Sequence, residues 1–307
     1  MNPSVRTVAT LASAPDRAAL SHALIAHAKH AAEAIAAGPV ESIEIEPDLV
    51  ADLLFELAPE ISVREASARL RAALGGEPID AIVQPSADRR KKLLIADMDS
   101  TMIGQECIDE LADMAGIKER VAAITERAMR GEIEFEPALR ERVGLLRGLE
   151  ESVAAKVVAE RITLTPGATQ LVATMRANGA HTALISGGFT VFTRRIAQAL
   201  GFHEHRANAL VVENGRFSGL VVEPILGRQA KLTALRELRE RQGLRKEETL
   251  AVGDGANDLA MLEEAGLGVA FRAKPAVAAA AHARVEHADL TALLYAQGYR
   301  RADFELK

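Results

Sequence analysis

Apolar and polar positions follow one grammar up to about residue 90 and another after it. The first part mixes element types. SVRTVATL (4–11) predicts a strand, and Leu20, Leu24, Ile25, Ala28, Ala32 and Ile35 recur at helical spacing between Asp16 and about Ala37. VESIEIE (40–46) alternates like a half-buried strand, PDLVADLLFEL (47–57) predicts a second helix, ISVREASARLRAAL (61–74) a third, and DAIVQP (80–85) a short strand. Residues 1–85 are therefore expected to form a small α+β domain. SADRRKK (86–92) is basic and without periodicity, which predicts a solvated linker.

After the linker, short apolar runs each give way to a helical segment. LLIA (93–96) precedes DMDST, TALIS (182–186) precedes GGFTVFTRRIAQAL, TLAVG (249–253) precedes DGANDLAMLEEA, and GVAF (268–271) precedes an Ala-rich helix. Short apolar strands alternating with helices imply a parallel sheet covered on both faces, an α/β class. A long helical insert, roughly 105–175, separates the first two strands, and ALVVENGRFSGLVVE (209–223) predicts a β-hairpin turned at Asn214-Gly215.

Composition narrows the function. In 307 residues the aromatics amount to 3% and Trp is absent, so the core must be built from Ala, Leu, Val and Ile. A net charge of −6 argues against a general nucleic-acid or anionic-membrane binder, since both need broad positive surface. The apolar run near the start is short for a signal peptide, and no segment approaches the roughly 20 apolar residues of a membrane helix. The single cysteine, Cys107, excludes an intrachain disulfide and suits a reducing cytoplasm, where the protein is expected.

The chemistry gathers at strand ends, where open parallel sheets bind ligands. Asp97-Met-Asp99-Ser-Thr101, Ser186-Gly-Gly188 and Gly253-Asp254-Gly-Ala-Asn257-Asp258 each follow a predicted strand. Any one of them alone reads as a helix cap or a turn. Together they bring up to four carboxylates toward one point, which calls for a cation, and oxygen ligands suit Mg²⁺. Ser186-Gly-Gly188 is expected as a turn exposing N–H groups at a helix start, an anion site, with Lys231 as a further positive group. Metal, anion cradle and acids describe phosphoryl transfer. No GxxxxGK[ST] nucleotide loop occurs, whereas two carboxylates two residues apart suit a phosphatase whose nucleophile is an aspartate.

DMDST, SGG and GDGAND, in that order with a helical insert after the first, resemble the haloacid dehalogenase (HAD) superfamily. ECIDELAD (106–113), AMRGEIEFEPALRERVGLLRGL (128–149) and ALISGGFTVF (183–192) resemble the branch that hydrolyses O-phosphoserine. The resemblance implies a HAD-like Rossmannoid parallel-sheet core over 93–307 with a helical cap inserted after its first strand. It implies Asp97 as nucleophile, Asp99 as general acid/base, and Mg²⁺ held by the Asp97 side chain, the Asp99 carbonyl and Asp254, with Asp258 behind them. Ser186, Gly187 and Lys231 would hold the phosphoryl group with Asn257 nearby; Glu106 and Arg142 would read the amino acid; Met129 and Phe135 would close the cap. Arg140 and Arg142 stand about 200° apart on a helix, so only one can face the site, and the residues alone do not choose between them. Extensions such as residues 1–85 are often amino-acid-binding ACT-like domains in this family, although no motif here carries that idea. The expected partner is a small phosphorylated molecule, O-phosphoserine or a relative such as phosphohomoserine, and the resemblance is compatible with a homodimer. A regulatory protein with a vestigial catalytic domain is the reading from another class, and intact acids at Asp97, Asp99 and Asp254 speak against it.

Overall fold

Six parallel strands form the central sheet, and alternate residues along them sort to two packed faces. The computed structural model describes residues 5–17, 19–130 and 132–306. The amino-terminal unit runs β1 (Val5–Ser13), α1 (His22–Glu33), β2 (Glu41–Glu46), β3 (Val50–Leu57), α2 (Val63–Ala73) and β4 (Ile79–Pro85). The second unit starts with β5 (Leu93–Ala96). Four helices follow: α3 (Cys107–Met114), α4 (Lys118–Met129), α5 (Phe135–Gly144) and α6 (Ser152–Glu160). Then come α7 (Ala168–Ala177), β6 (His181–Phe189), α8 (Thr190–Leu200), β7 (Glu204–Asn208) and the hairpin β8 (Leu210–Glu213) and β9 (Arg216–Val221). The chain ends with α9 (Arg228–Arg241), β10 (Thr249–Gly253), α10 (Leu259–Glu264), β11 (Leu267–Phe271), α11 (Pro275–Ala280), β12 (Ala283–Val285) and α12 (Ala292–Ala296).

The sheet order β12-β11-β10-β5-β6-β7 reverses direction between β5 and β10, which makes their carboxyl ends the switch point. Leu93 and Ile95 face Leu235 and Leu238 of α9 and Met261 of α10. Leu94 and Ala96 face Leu171 and Met175 of α7 and Phe192 of α8. The helical insert is shorter than its sequence suggests. It leaves after Ile103 and returns at Leu164, where the two residues form an isolated bridge, and α7 belongs to the layer on the sheet. The predicted hairpin is present, with both turn residues, Asn214 (φ 51) and Gly215 (φ 74), in the left-handed region that a type I′ turn demands.

In the amino-terminal unit the antiparallel order is β2-β3-β1-β4, with α1 and α2 on one face. The second expected helix is strand β3. Its Leu, Ala and Glu favour a helix, but Val50–Leu53 are buried between β2 and β1, and the pairing of two neighbours overrides propensity. The helix read from Asp16 starts only after Ser21, whose side chain accepts from the Leu24 N–H.

The stretch 86–92 is solvated only in part: Ala87, Arg90 and Lys92 are exposed, whereas Arg89 and Lys91 turn inward. Arg89 pairs with the buried Asp52 at 2.8 Å and donates to the Tyr295 and Ala296 carbonyls. Lys91 is 6% exposed and donates to the carbonyls of Asp88 and Glu247, and burial pushes its pKa down to about 8. These basic side chains face inward because buried carbonyls and a buried acid need donors. The seam continues in β4, where Asp80 accepts from the N–H groups of Glu286, His287 and Ala288 at 2.8, 3.0 and 2.8 Å. Ala12, Val50 and Ile82 complete the main core from the other face of this sheet. Among the described residues no helix is long and apolar enough to cross a membrane.

Asp80→Ala strands three N–H groups in the seam, so unfolding free energy should fall by roughly 3 kcal/mol at about 1 kcal/mol per bond. Urea unfolding reads this directly, and a change below about 1 kcal/mol would show that the seam is not held there. A chain lacking residues 1–85 should lose stability for the same reason, with Ile82 and its neighbours gone from the core.

Candidate active site

The site begins where β5 and β10 end side by side. Asp97 continues β5, its N–H donating to the Val252 carbonyl at 3.0 Å. The next residues form a wide turn: the Ile103 N–H reaches the Met98 carbonyl at 3.1 Å, and Ser100 takes φ 53. That turn sends the two carboxylates apart. Asp97, 5% exposed, meets the Lys231 ammonium at 2.7 Å. Asp99 accepts from the Cys107 N–H at 2.9 Å on one oxygen and from the Ser186 hydroxyl at 3.3 Å on the other.

From β10, the loop Gly253–Asp258 folds back on itself. A Cβ at Gly253 would lie 2.4 Å from the Asp258 carboxyl carbon, so only glycine admits this approach. Asp258, fully buried, accepts from Lys231 at 2.6 Å and from the Gly255 N–H at 3.0 Å. Asn257 is half-buried in the same loop. Carboxylate oxygens of Asp97, Asp254 and Asp258 lie within 4.8 Å of one another.

One ammonium cannot balance three carboxylates. Burial alone would lower the Lys231 pKa, but Asp97 and Asp258 outweigh it and hold the ammonium protonated, above its ordinary range. Asp97 is nevertheless pushed well up, by burial and then by Asp258, with Lys231 offsetting only part. Burial and Asp258 raise Asp254 to about 6. Asp99 is also raised, chiefly by burial, against the bond from Cys107. The site thus holds surplus negative charge in a partly dry place, and its all-oxygen donor set fits a small hard dication.

Ser186, Gly187 and Gly188 are not a turn at a helix start. They continue β6, which runs to Phe189 before α8 begins, and the Gly188 N–H is bonded to the Ser186 hydroxyl at 2.9 Å. The cap stands over them. Phe135, first residue of α5, lies where added Cβ atoms at Gly187 and Gly227 would be 3.7 and 3.6 Å from its ring. Glu106 precedes α3 and accepts from the Ser100 hydroxyl at 2.7 Å. Water reaches its carboxylate, yet protein hems it in, and that desolvation with the charge of Asp99 pushes it up to about 7. Arg142 is half-buried, donating to the Ala138 carbonyl at 3.3 Å and the Thr125 hydroxyl at 3.4 Å. Burial lowers its pKa, and Asp109 and Glu106 oppose that fall. Arg140 instead points outward to Glu136 and Glu223, so the structure separates the two arginines that the sequence left equivalent. The Met129 side chain lies outside the described residues.

Two hydroxyls to which the sequence pattern assigns no role also bind the site together. Thr101, fully buried, donates to Asp254 at 3.0 Å and ties the first motif to the third. Ser100 orients Glu106. Both stand in DMDST, and their polarity after an apolar strand was the only signal.

Residues 94–263 match the haloacid dehalogenase-like hydrolase family. The chain is similar to the phosphoserine phosphatase of Archaeoglobus fulgidus, with 42% identity over 75% of this chain and 67% of that one. It is similar to the phosphoserine phosphatase of Streptomyces coelicolor, with 43% identity over 79% of this chain and 59% of that one. The matched part thus spans about three fifths to two thirds of these relatives. Among solved structures, a HAD family hydrolase from Salmonella enterica serovar Typhi superposes with a TM-score of 0.82 at 28% identity, covering 94% of this chain and 97% of that one. The chain belongs to the haloacid dehalogenase-like hydrolases, in the branch of the phosphoserine phosphatases.

Proposed function

We propose that the protein hydrolyses O-phospho-L-serine to L-serine and phosphate through a phosphorylated Asp97, the step that releases serine in its biosynthesis in the cytoplasm. The observation that carries this is Lys231, buried between Asp97 and Asp258 beneath a cap wall that presents Glu106 and Arg142. An ammonium at 2.7 Å from Asp97 marks where a phosphoryl oxygen would rest beside the nucleophile.

Asp97 attacks phosphorus, and the bond from phosphorus to the serine oxygen breaks. Asp99, whose burial favours its protonated form, gives its proton to the leaving serine oxygen. It then takes a proton from the water that attacks the same phosphorus, which releases phosphate and frees Asp97. The Cys107 N–H and the Ser186 hydroxyl hold Asp99 in place for both transfers. Lys231, Ser186 and the Gly187 backbone would grip the phosphoryl oxygens, with Asn257 beside them. Glu106 would take the substrate ammonium and Arg142 its carboxylate, under Phe135 and Met129. Asp97, Asp254 and the Asp99 carbonyl would hold Mg²⁺, with Asp258 kept outside by its bonds to Lys231 and the Gly255 N–H. When bound, the ion supplies the positive charge that lets a phosphate dianion approach these acids.

Asp97→Asn should fold normally and lose nearly all turnover, since an amide cannot attack phosphorus; substantial turnover in fresh protein would remove the covalent route. Excess chelator should abolish activity and Mg²⁺ restore it; full activity without the ion would contradict the metal assignment. Glu106→Gln and Arg142→Lys should each lower kcat/KM on phosphoserine at least about tenfold, the worth of one charge-assisted contact, and barely change p-nitrophenyl phosphate. Arg140→Ala, altering only exposed pairs, should be nearly silent. Equal losses on both substrates would mean that the cap reads something else, and a panel of phosphorylated metabolites, phosphohomoserine included, would then identify it.

A further inference from the structure

Strand β6 does not pair with β7 along its whole length. Ala183, Leu184 and Ile185 pair with Glu204, His205 and Arg206, and the register then breaks until Phe189 meets Asn208. Ser186, Gly187 and Gly188 lie in that break. Freed from the ladder, their backbone can turn toward a ligand, but it needs another restraint to hold one orientation.

Asn208 supplies it. Its side-chain N–H₂ donates to the Gly187 carbonyl at 2.9 Å and to the Leu226 carbonyl at 3.2 Å, while its amide oxygen accepts from the Leu226 N–H at 2.7 Å. The residue is 2% exposed, so water does not share these bonds. One partner, Gly187, belongs to the strand end that faces the phosphoryl group. The other, Leu226, precedes Gly227, the residue that caps α9, and Lys231 stands in the first turns of that helix. Only a carboxamide offers two donors and an acceptor in one plane at this reach. An aspartate in its place would not be equivalent, because a carboxylate oxygen would face two carbonyl oxygens.

We propose that Asn208 is a positioning residue that fixes the separation between the Ser186–Gly187 strand end and Lys231. These are the two elements that grip the phosphoryl group, an identification that rests on the function proposed above. Asn208 touches neither substrate nor the reacting atoms. It acts by locking two backbone segments, so its loss lets the anion cradle widen and leaves the amino-acid end of the site, Glu106 and Arg142 on the cap, unaltered.

The test compares Asn208→Ala and Asn208→Ser with the unaltered protein, on material shown to be folded by its circular dichroism and melting temperature. The readouts are kcat and KM on phosphoserine and competitive inhibition by inorganic phosphate and by serine. In Asn208→Ala, kcat should fall about ten- to a hundredfold, the range that a misplacement near 1 Å produces. Inhibition by phosphate should weaken about tenfold while that by serine changes less than about twofold, since a lost contact acts only at the end it serves. Asn208→Ser keeps one donor and should fall between. An amide that merely stabilised the fold would lower the melting temperature and leave the kinetics of the folded protein alone, and that result would overturn the proposal, as would equal weakening of phosphate and serine. Should Asn208→Ala fail to fold, Asn208→Ser decides by the same criteria. If the unaltered protein cleaves p-nitrophenyl phosphate but not phosphoserine, the substrate assignment fails alone, and kcat with phosphate inhibition on that ester then decides the role of Asn208.

Discussion

The placement of one ammonium governs the rest of the site. Lys231 is 2% exposed and lies 2.7 Å from Asp97 and 2.6 Å from Asp258. Burying such charges can cost more than their attraction returns, and a well-packed apolar trio often serves stability as well. Here the cost is concentrated at the switch point of the sheet, where β5 and β10 deliver Asp97 and Asp254 from neighbouring strands. Several local features exist to make that convergence possible: the missing side chain at Gly253, the left-handed Ser100, and the hydroxyl of Thr101 bridging to Asp254. Each holds an acid at a place it would not choose alone.

The amino-terminal unit answers to a different constraint. Its inner sheet face carries Ala12, Val50 and Ile82 into the main core, and its polar groups cap the loop after β12 through Asp80. Arg89 links the two units by pairing with Asp52 while donating to carbonyls of α12. None of the acids at the active site lies in this unit. Its bonds to β12 and α12 nevertheless make it part of the framework that carries the sheet.

Much of this was legible in the residues, and the misreadings share a cause. The strand ends, the hairpin and the acid motifs were readable because each is local: an apolar run, an Asn-Gly pair, charges at fixed spacing. Strand β3 looked helical because a strand buried on both faces loses its alternation, and one of its two sheet neighbours, β1, is distant in sequence. The basic stretch 86–92 looked wholly solvated because Asp52 and the carbonyl of Tyr295, which Arg89 serves, lie far away along the chain. Arg140 and Arg142 could not be told apart until the helix phase was fixed by what α5 packs against. Asn208 gave no signal, since a lone Asn at a strand end is common and its two partners meet only in the fold.

Asp97 lies beside a fixed ammonium, and in the mechanism we propose it would attack phosphorus itself, so that every turnover would pass through two displacements at one phosphorus atom. The stereochemical course of the reaction tests this most directly. Phosphorothioate serine made chiral with oxygen isotopes, hydrolysed in isotopically labelled water, reports whether configuration at phosphorus is kept or reversed. Two in-line displacements predict net retention. Net inversion would mean that water attacks the substrate in a single step, and Asp97 could not then be the nucleophile.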